Sequence, residues 1–95
     1  MSLFWLSFAD ATLPKGKQFL GACIVPGGDT GDLRTDLAMA IKEAWRLGCN
    51  PGGQVAHQRV PPTVAPHIGP QWLGRLLTRE DAQRFDVELR PFGVS

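Results

Sequence analysis

A glycine-rich turn between an apolar run and a long helical pattern constrains this chain more than any other feature. Phe19-Leu20-Gly21-Ala22-Cys23-Ile24-Val25 reads as a buried strand and Pro26-Gly27-Gly28-Asp29-Thr30-Gly31-Asp32 as the turn; from Asp32 the apolar spacing becomes helical. Leu33, Leu37, Ala40, Ile41, Ala44 and Trp45 make one stripe, with Arg34, Asp36, Lys42, Glu43 and Arg46 elsewhere. Asp32 or Thr30 is placed to cap the first free amides, and Gly48 to take the left-handed conformation that ends a helix. About sixteen helical residues span roughly 24 Å, the length of a strand, so this helix covers a sheet from end to end.

The flanking segments supply the sheet. Leu3 to Ala9 is apolar on both alternating faces, Phe4, Leu6 and Phe8 on one and Leu3, Trp5 and Ser7 on the other, which suits a strand covered on both sides. Asp10 to Gly16 returns the chain into the second strand, Lys17 to Val25, antiparallel to the first. Gly21 inside that strand marks a bulge or the close approach of another element. Beyond the turn at Cys49-Asn50-Pro51-Gly52-Gly53, the polar segment Gln54 to Val60 reads as an edge strand.

Pro61, Pro62, Pro66 and Pro70 exclude a regular helix and predict an extended, ordered connection, followed by a short helical turn over Gln71 to Leu77. Thr78 and Asp81 stand at capping-box spacing and open a short helix from about Arg79. Phe85 to Arg90 alternates like a fourth strand, while Ala82, Phe85 and Leu89 fit a helical stripe, so the C-terminal tail is helical or extended. The predicted fold is an α+β two-layer domain, β-β-α-β and then the tail, with the main helix packed on the sheet. Spatial order 2-1-3, the first strand antiparallel to both neighbours, is favoured over a βαβ unit of order 1-2-3.

Ninety-five residues make one domain, 1–95, that buries a little over 60% of its unfolded surface. Ten Lys and Arg against nine Asp and Glu leave a charge of +1, with no basic tail in either half, so nucleic acid is an unfavoured partner and a membrane surface is not expected. Leu3 to Phe8 is too short, and lacks a preceding positive charge, for a secretory leader in spite of Ala9-Asp10-Ala11. Cys23 and Cys49, 26 positions apart, read as reduced, buried thiols of a cytoplasmic protein.

Function is far less legible. Gly27, Gly28, Asp29 and Thr30 are the candidate ligand-binding residues, because a glycine turn frees amides that a helix N-terminus makes attractive to phosphate. The loop completes neither G-x-x-x-x-G-K-[ST] nor G-x-G-x-x-G, and Asp29 and Asp32 repel anions, so capping explains it more simply. Cys23, Cys49, His57 and His67 have zinc chemistry without ligand spacing, so no metal and no cofactor is expected. Ser7 with His57 and Asp10, or Cys49 with His57, lacks any signature that activates a nucleophile, as does pairing Asp10 with Asp29 or Asp32 for acid-base work. Catalysis is therefore not expected.

Arg59, Arg75, Arg79, Arg84 and Arg90 interleave with Trp72 and Phe85, yet Glu80, Asp81, Asp86 and Glu88 neutralise them. Interaction remains: through the polar edge strand, the Pro-rich crossing or the apolar tail, with another protein or a second copy. Trp5-Leu6-Ser7-Phe8, Gln18-Phe19-Leu20-Gly21 and Asn50-Pro51-Gly52-Gly53-Gln54-Val55 give roughly the first 60 positions a look similar to small uncharacterised proteins encoded in bacterial and phage genomes. That resemblance implies a bacterial or phage cytoplasmic origin and no particular activity. The expectation is a small non-enzymatic binding or interaction module, with a small-ligand or phosphate-binding protein as the alternative.

Overall fold

The computed structural model describes residues 2–89. Strands β1 (Leu3–Ala9), β2 (Phe19–Pro26) and β3 (Gln54–Arg59) form an antiparallel sheet of order β2-β1-β3. Helix α1 (Leu33–Leu47) connects β2 to β3, and helix α2 (Arg79–Leu89) ends the described chain. The apolar first strand lies in the middle, as its two-faced pattern predicts.

Each face of the sheet has its own core. Phe4, Leu6 and Phe8 of β1 pack with Cys23 and Val25 beneath Ala40 and Ala44 of α1. On the other face Ile24 packs with Val60, Val64, Ile68, Trp72, Leu77, Phe85 and Leu89, flanked by Leu3 and Trp5. The tail therefore covers the face that α1 leaves bare, a layer beyond the predicted pair of sheet and main helix.

Gly21 fulfils both predicted roles. The register skips Leu20 between the pairs Phe8↔Gly21 and Ala9↔Phe19, a bulge. Gly21 has φ +137°, and a Cβ there would lie 2.5 Å from Leu76 Cδ1 and 3.1 Å from the Leu77 carbonyl. That approach brings Leu73–Leu77 onto the outer edge of β2. Ala22 and Leu77 exchange both backbone hydrogen bonds, at 3.0 and 2.6 Å, and Gly74 N–H donates to the Ile24 carbonyl at 2.9 Å.

The α1 stripe is rotated from its predicted position. Its buried line is Asp36, Ala40 and Ala44, and Trp45, about half a turn round the helix from Asp36, is 60% exposed. Leu33, at the first helical position, is 48% exposed. Leu37 and Ile41 pack partly against the core. At the C-terminus Gly48 has φ +76°, its N–H reaches the Trp45 carbonyl and the Cys49 N–H the Ala44 carbonyl, a Schellman stop. Asp32 is the N-cap residue, but its carboxylate accepts from Thr35 Oγ1 at 2.6 Å rather than from a helix amide.

Three expectations about the tail change, the first being that the helical turn predicted over Gln71 to Leu77 shrinks to Pro70–Trp72 while Leu73–Leu77 runs along β2 instead. The Pro61–Pro70 connection is not uniformly extended: it folds into short 3-10 turns at Ala65–His67 and Pro70–Trp72, each with proline at an opening position where its fixed φ fits and its missing N–H costs nothing. Residues 85–89 are helical, so the fourth-strand alternative falls; Arg90 lies outside the described residues. The deciding local feature is the capping box, in which Asp81 N–H donates to Thr78 Oγ1 and Thr78 N–H to Asp81 Oδ2, both at 3.2 Å. Thr78→Ala is expected to cost about 1 kcal/mol in denaturant unfolding; no change in midpoint would show that docking alone holds α2 in place.

Candidate functional site

The glycine turn is built around a buried carboxylate. Thr30 N–H donates to Asp36 Oδ1 at 2.9 Å and Thr30 Oγ1 does so at 2.7 Å, while Arg59 of β3 reaches Asp36 Oδ2 at 3.1 Å. The Thr30 backbone bond leads in holding the Asp36 carboxyl below the usual range, with smaller help from the Thr30 hydroxyl, Arg59 and the Gly31 amide against the opposing effect of burial. The amides freed by the glycines are thus engaged from inside the molecule, and an incoming anion would compete with Asp36 for them.

The four candidate ligand residues each have a place in this arrangement. Gly27 N–H donates to the Ser2 carbonyl at 2.9 Å, and a Cβ on Gly27 would meet the Phe4 ring at 2.5 Å. Gly28 is buried, its N–H 3.3 Å from the Asp36 carbonyl. Asp29 accepts from the Ser2 hydroxyl and from Ser2 N–H at 3.0 Å; the hydroxyl bond is the main reason its carboxyl lies below the usual range. Thr30, bound to Asp36, also accepts from Asp32 N–H at 3.2 Å through its hydroxyl.

The other sequence candidates are dispersed. Cys23 and Cys49 are buried free thiols that meet in the α1-side core, where burial and the neighbouring Cys49 push the Cys23 thiol well above its ordinary range. His57 is exposed on β3 and His67 in the first 3-10 turn; among the described residues no group of three or more His, Cys, Asp or Glu could hold a metal. Ser7 and His57 are on opposite faces, since His57 pairs with Leu6 and side chains alternate along β1. Asp10 binds Thr12 at the far end of β1 from Ser2 and Asp29.

The arginines serve the fold. Arg59 also donates to Ser2 Oγ at 2.8 Å and lies 4.9 Å from the Phe4 ring centre. Arg75 bonds the Gln71 carbonyl and stands over Trp72, and Arg79 bonds the Gly16 carbonyl and stands over Phe19. The Asp36–Arg59 pair has no local signature, being joined across 23 positions.

β3 stands apart from the rest of the sheet. All six of its residues are exposed, it pairs with β1 alone, and no described segment covers its outer edge, in contrast to β2 with Leu73–Leu77. Val60 N–H donates to the Leu3 carbonyl, which fixes the alternation: even-numbered β3 residues point their backbone groups at β1, and Val55, His57 and Arg59 point theirs outward. Next to this strand, on the α2 side, Trp5, Gln58, Val60, Pro61, Phe85 and Asp86 line a cleft of about 220 Å³. Trp5 and Phe85 stack there, ring centres 5.2 Å apart at 24°. Polarity marks β3 as an edge strand in the sequence; the cleft, assembled from four segments, leaves no such mark.

No helix among the described residues is long and apolar enough to cross a membrane. The chain matches no protein-family model, no curated protein and no solved structure.

Proposed function

We propose that this protein is a small non-enzymatic interaction module that takes an extended polypeptide segment onto the outer edge of β3. One observation carries the reading: the sheet has one edge latched by the chain's own Leu73–Leu77 and another, β3, to which no described segment adds. Outward N–H and C=O groups of Val55, His57 and Arg59 give affinity by strand addition, and the side chains on the two exposed faces give selectivity. The Trp5–Phe85 cleft beside the strand offers a recess for a side chain of the added segment. A small ligand or phosphate at Gly27, Gly28, Asp29 and Thr30 is the alternative, and it is less favoured because such a ligand must displace Asp36.

Peptides selected from a random displayed library test this. Binders should shift the amide NMR signals of Val55, His57 and Arg59, and should lose about tenfold or more in affinity for His57→Pro, which removes an outward donor while leaving the β1 ladder intact. Shifts confined to residues 27–31 or to the Trp5 cleft, with unchanged binding to His57→Pro, would overturn strand addition.

A further inference from the structure

We infer that the segment β3 accepts is the β3 of a second copy, in one antiparallel register centred on His57, so that two three-stranded sheets join into six strands; this rests on the strand-addition reading above. Antiparallel pairing about a two-fold axis perpendicular to the sheet places residues of the same face opposite each other. With His57 opposite the second copy's His57, Val55 stands opposite Arg59 twice. All the outward N–H and C=O groups of Val55, His57 and Arg59 then find partners, six hydrogen bonds across the seam by this count.

The neighbouring two-fold registers fail for reasons written into the strand's ends. Moving the centre to Ala56 sets Arg59 opposite Gly53, whose φ of +78° turns the backbone out of the strand. Moving it to Gln58 sets Val55 opposite Pro61, which has no N–H to give. Gly53 and Pro61 thus bracket the strand and leave the His57-centred register as the one that satisfies every outward group. Sterics permit it, because all six β3 residues are exposed and no described segment pairs with their outward edge. Charge permits it too, since Arg59 faces Val55 rather than a second Arg59.

The dimer is weak, because backbone bonds at one strand edge must offset the entropy of association. Solution mass should therefore rise towards twice the monomer as protein approaches about 1 mM, and His57→Pro should stay monomeric throughout while retaining the wild-type circular dichroism. Val55→Glu places a carboxylate opposite Arg59 in both halves and should tighten the dimer roughly two- to thirty-fold at low salt. His57→Cys should give a disulfide-linked dimer on mild oxidation, whereas Val55→Cys should not, its two copies lying about 13 Å apart in this register.

Equal association of wild type and a folded His57→Pro, or cross-linking through Val55→Cys instead of His57→Cys, would overturn the register. A wild type that stays monomeric yet binds selected peptides at the Val55, His57 and Arg59 amides would overturn self-pairing and leave strand addition standing. Absence of both dimer and peptide binding would overturn the two together.

Discussion

Asp36→Ala is expected to lower the melting temperature at pH 7 by on the order of 10–20 °C. The carboxylate is fully buried and binds the Thr30 amide, the Thr30 hydroxyl and Arg59. Truncation leaves the turn's amides without their acceptor and Arg59 without its counter-charge. The Arg59 side chain is 39% exposed, so water screens the ion pair and the larger loss comes from the turn. Asp36→Asn retains an acceptor for Thr30 and should fall between the two proteins.

The pH dependence follows from the sign of the shift. A carboxyl held below its ordinary value stabilises the fold fully above the unfolded pKa of about 3.9, and that contribution disappears as pH falls through the lower, folded value. The gap between wild type and Asp36→Ala should be complete at pH 7 and should shrink below about pH 4. Asp10, Asp29, Glu43 and Asp81 are lowered as well, so acid weakens both proteins and the difference between their melts is the informative quantity. A gap that widens towards pH 3, or a pH 7 difference of only a degree or two, would contradict the role given to this carboxylate.

Phe85→Ala should cost about 3–5 kcal/mol in equilibrium unfolding, as large-to-small changes of a buried aromatic do. Phe85 is 6% exposed, stacks on Trp5 and meets Trp72 edge-on at 5.7 Å and 79°, so one ring ties α2 to the central strand and to the second 3-10 turn. Aromatic pairing adds to the loss of burial. Tryptophan emission should shift to the red in the native variant as Trp5 and Trp72 lose cover, whereas Phe85→Leu, which keeps most of the volume, should change both readouts less. A loss under 1 kcal/mol would mean that the tail is held by its β2 bridges and that the aromatic cluster is incidental.

The sheet order was legible because β1 announces a central position: Phe4, Leu6 and Phe8 demand one cover and Leu3 and Trp5 another. Gly48, Gly21 and the Thr78–Asp81 box were legible because each acts through its immediate neighbours. Asp36 was not. Helical spacing assigned it to solvent, yet the glycine turn wraps its carboxylate, with Arg59 of β3 on the other oxygen, so the buried line runs through Asp36 and Trp45 lies outside. The ending was ambiguous for a related reason, since Phe85, Val87 and Leu89 satisfy a period of two while Ala82, Phe85 and Leu89 satisfy a helical one, and the cap decides between them. Among the candidate ligand residues, glycine content signalled a turn with free amides but could not reveal that Asp36 from within α1 already binds there.

The division of the interior into two cores has a consequence for the order in which the chain can assemble during synthesis. Every member of the α1-side core lies between Phe4 and Cys49, so that half can consolidate while the ribosome is still making the tail. Until residues 60–89 emerge, Trp5 and Ile24 have no cover and β2 has no latch at Ala22 and Ile24. Before that segment emerges, a sheet of these strands has one greasy face and two sticky rims, and residues 60–89 then close that face and the β2 rim together.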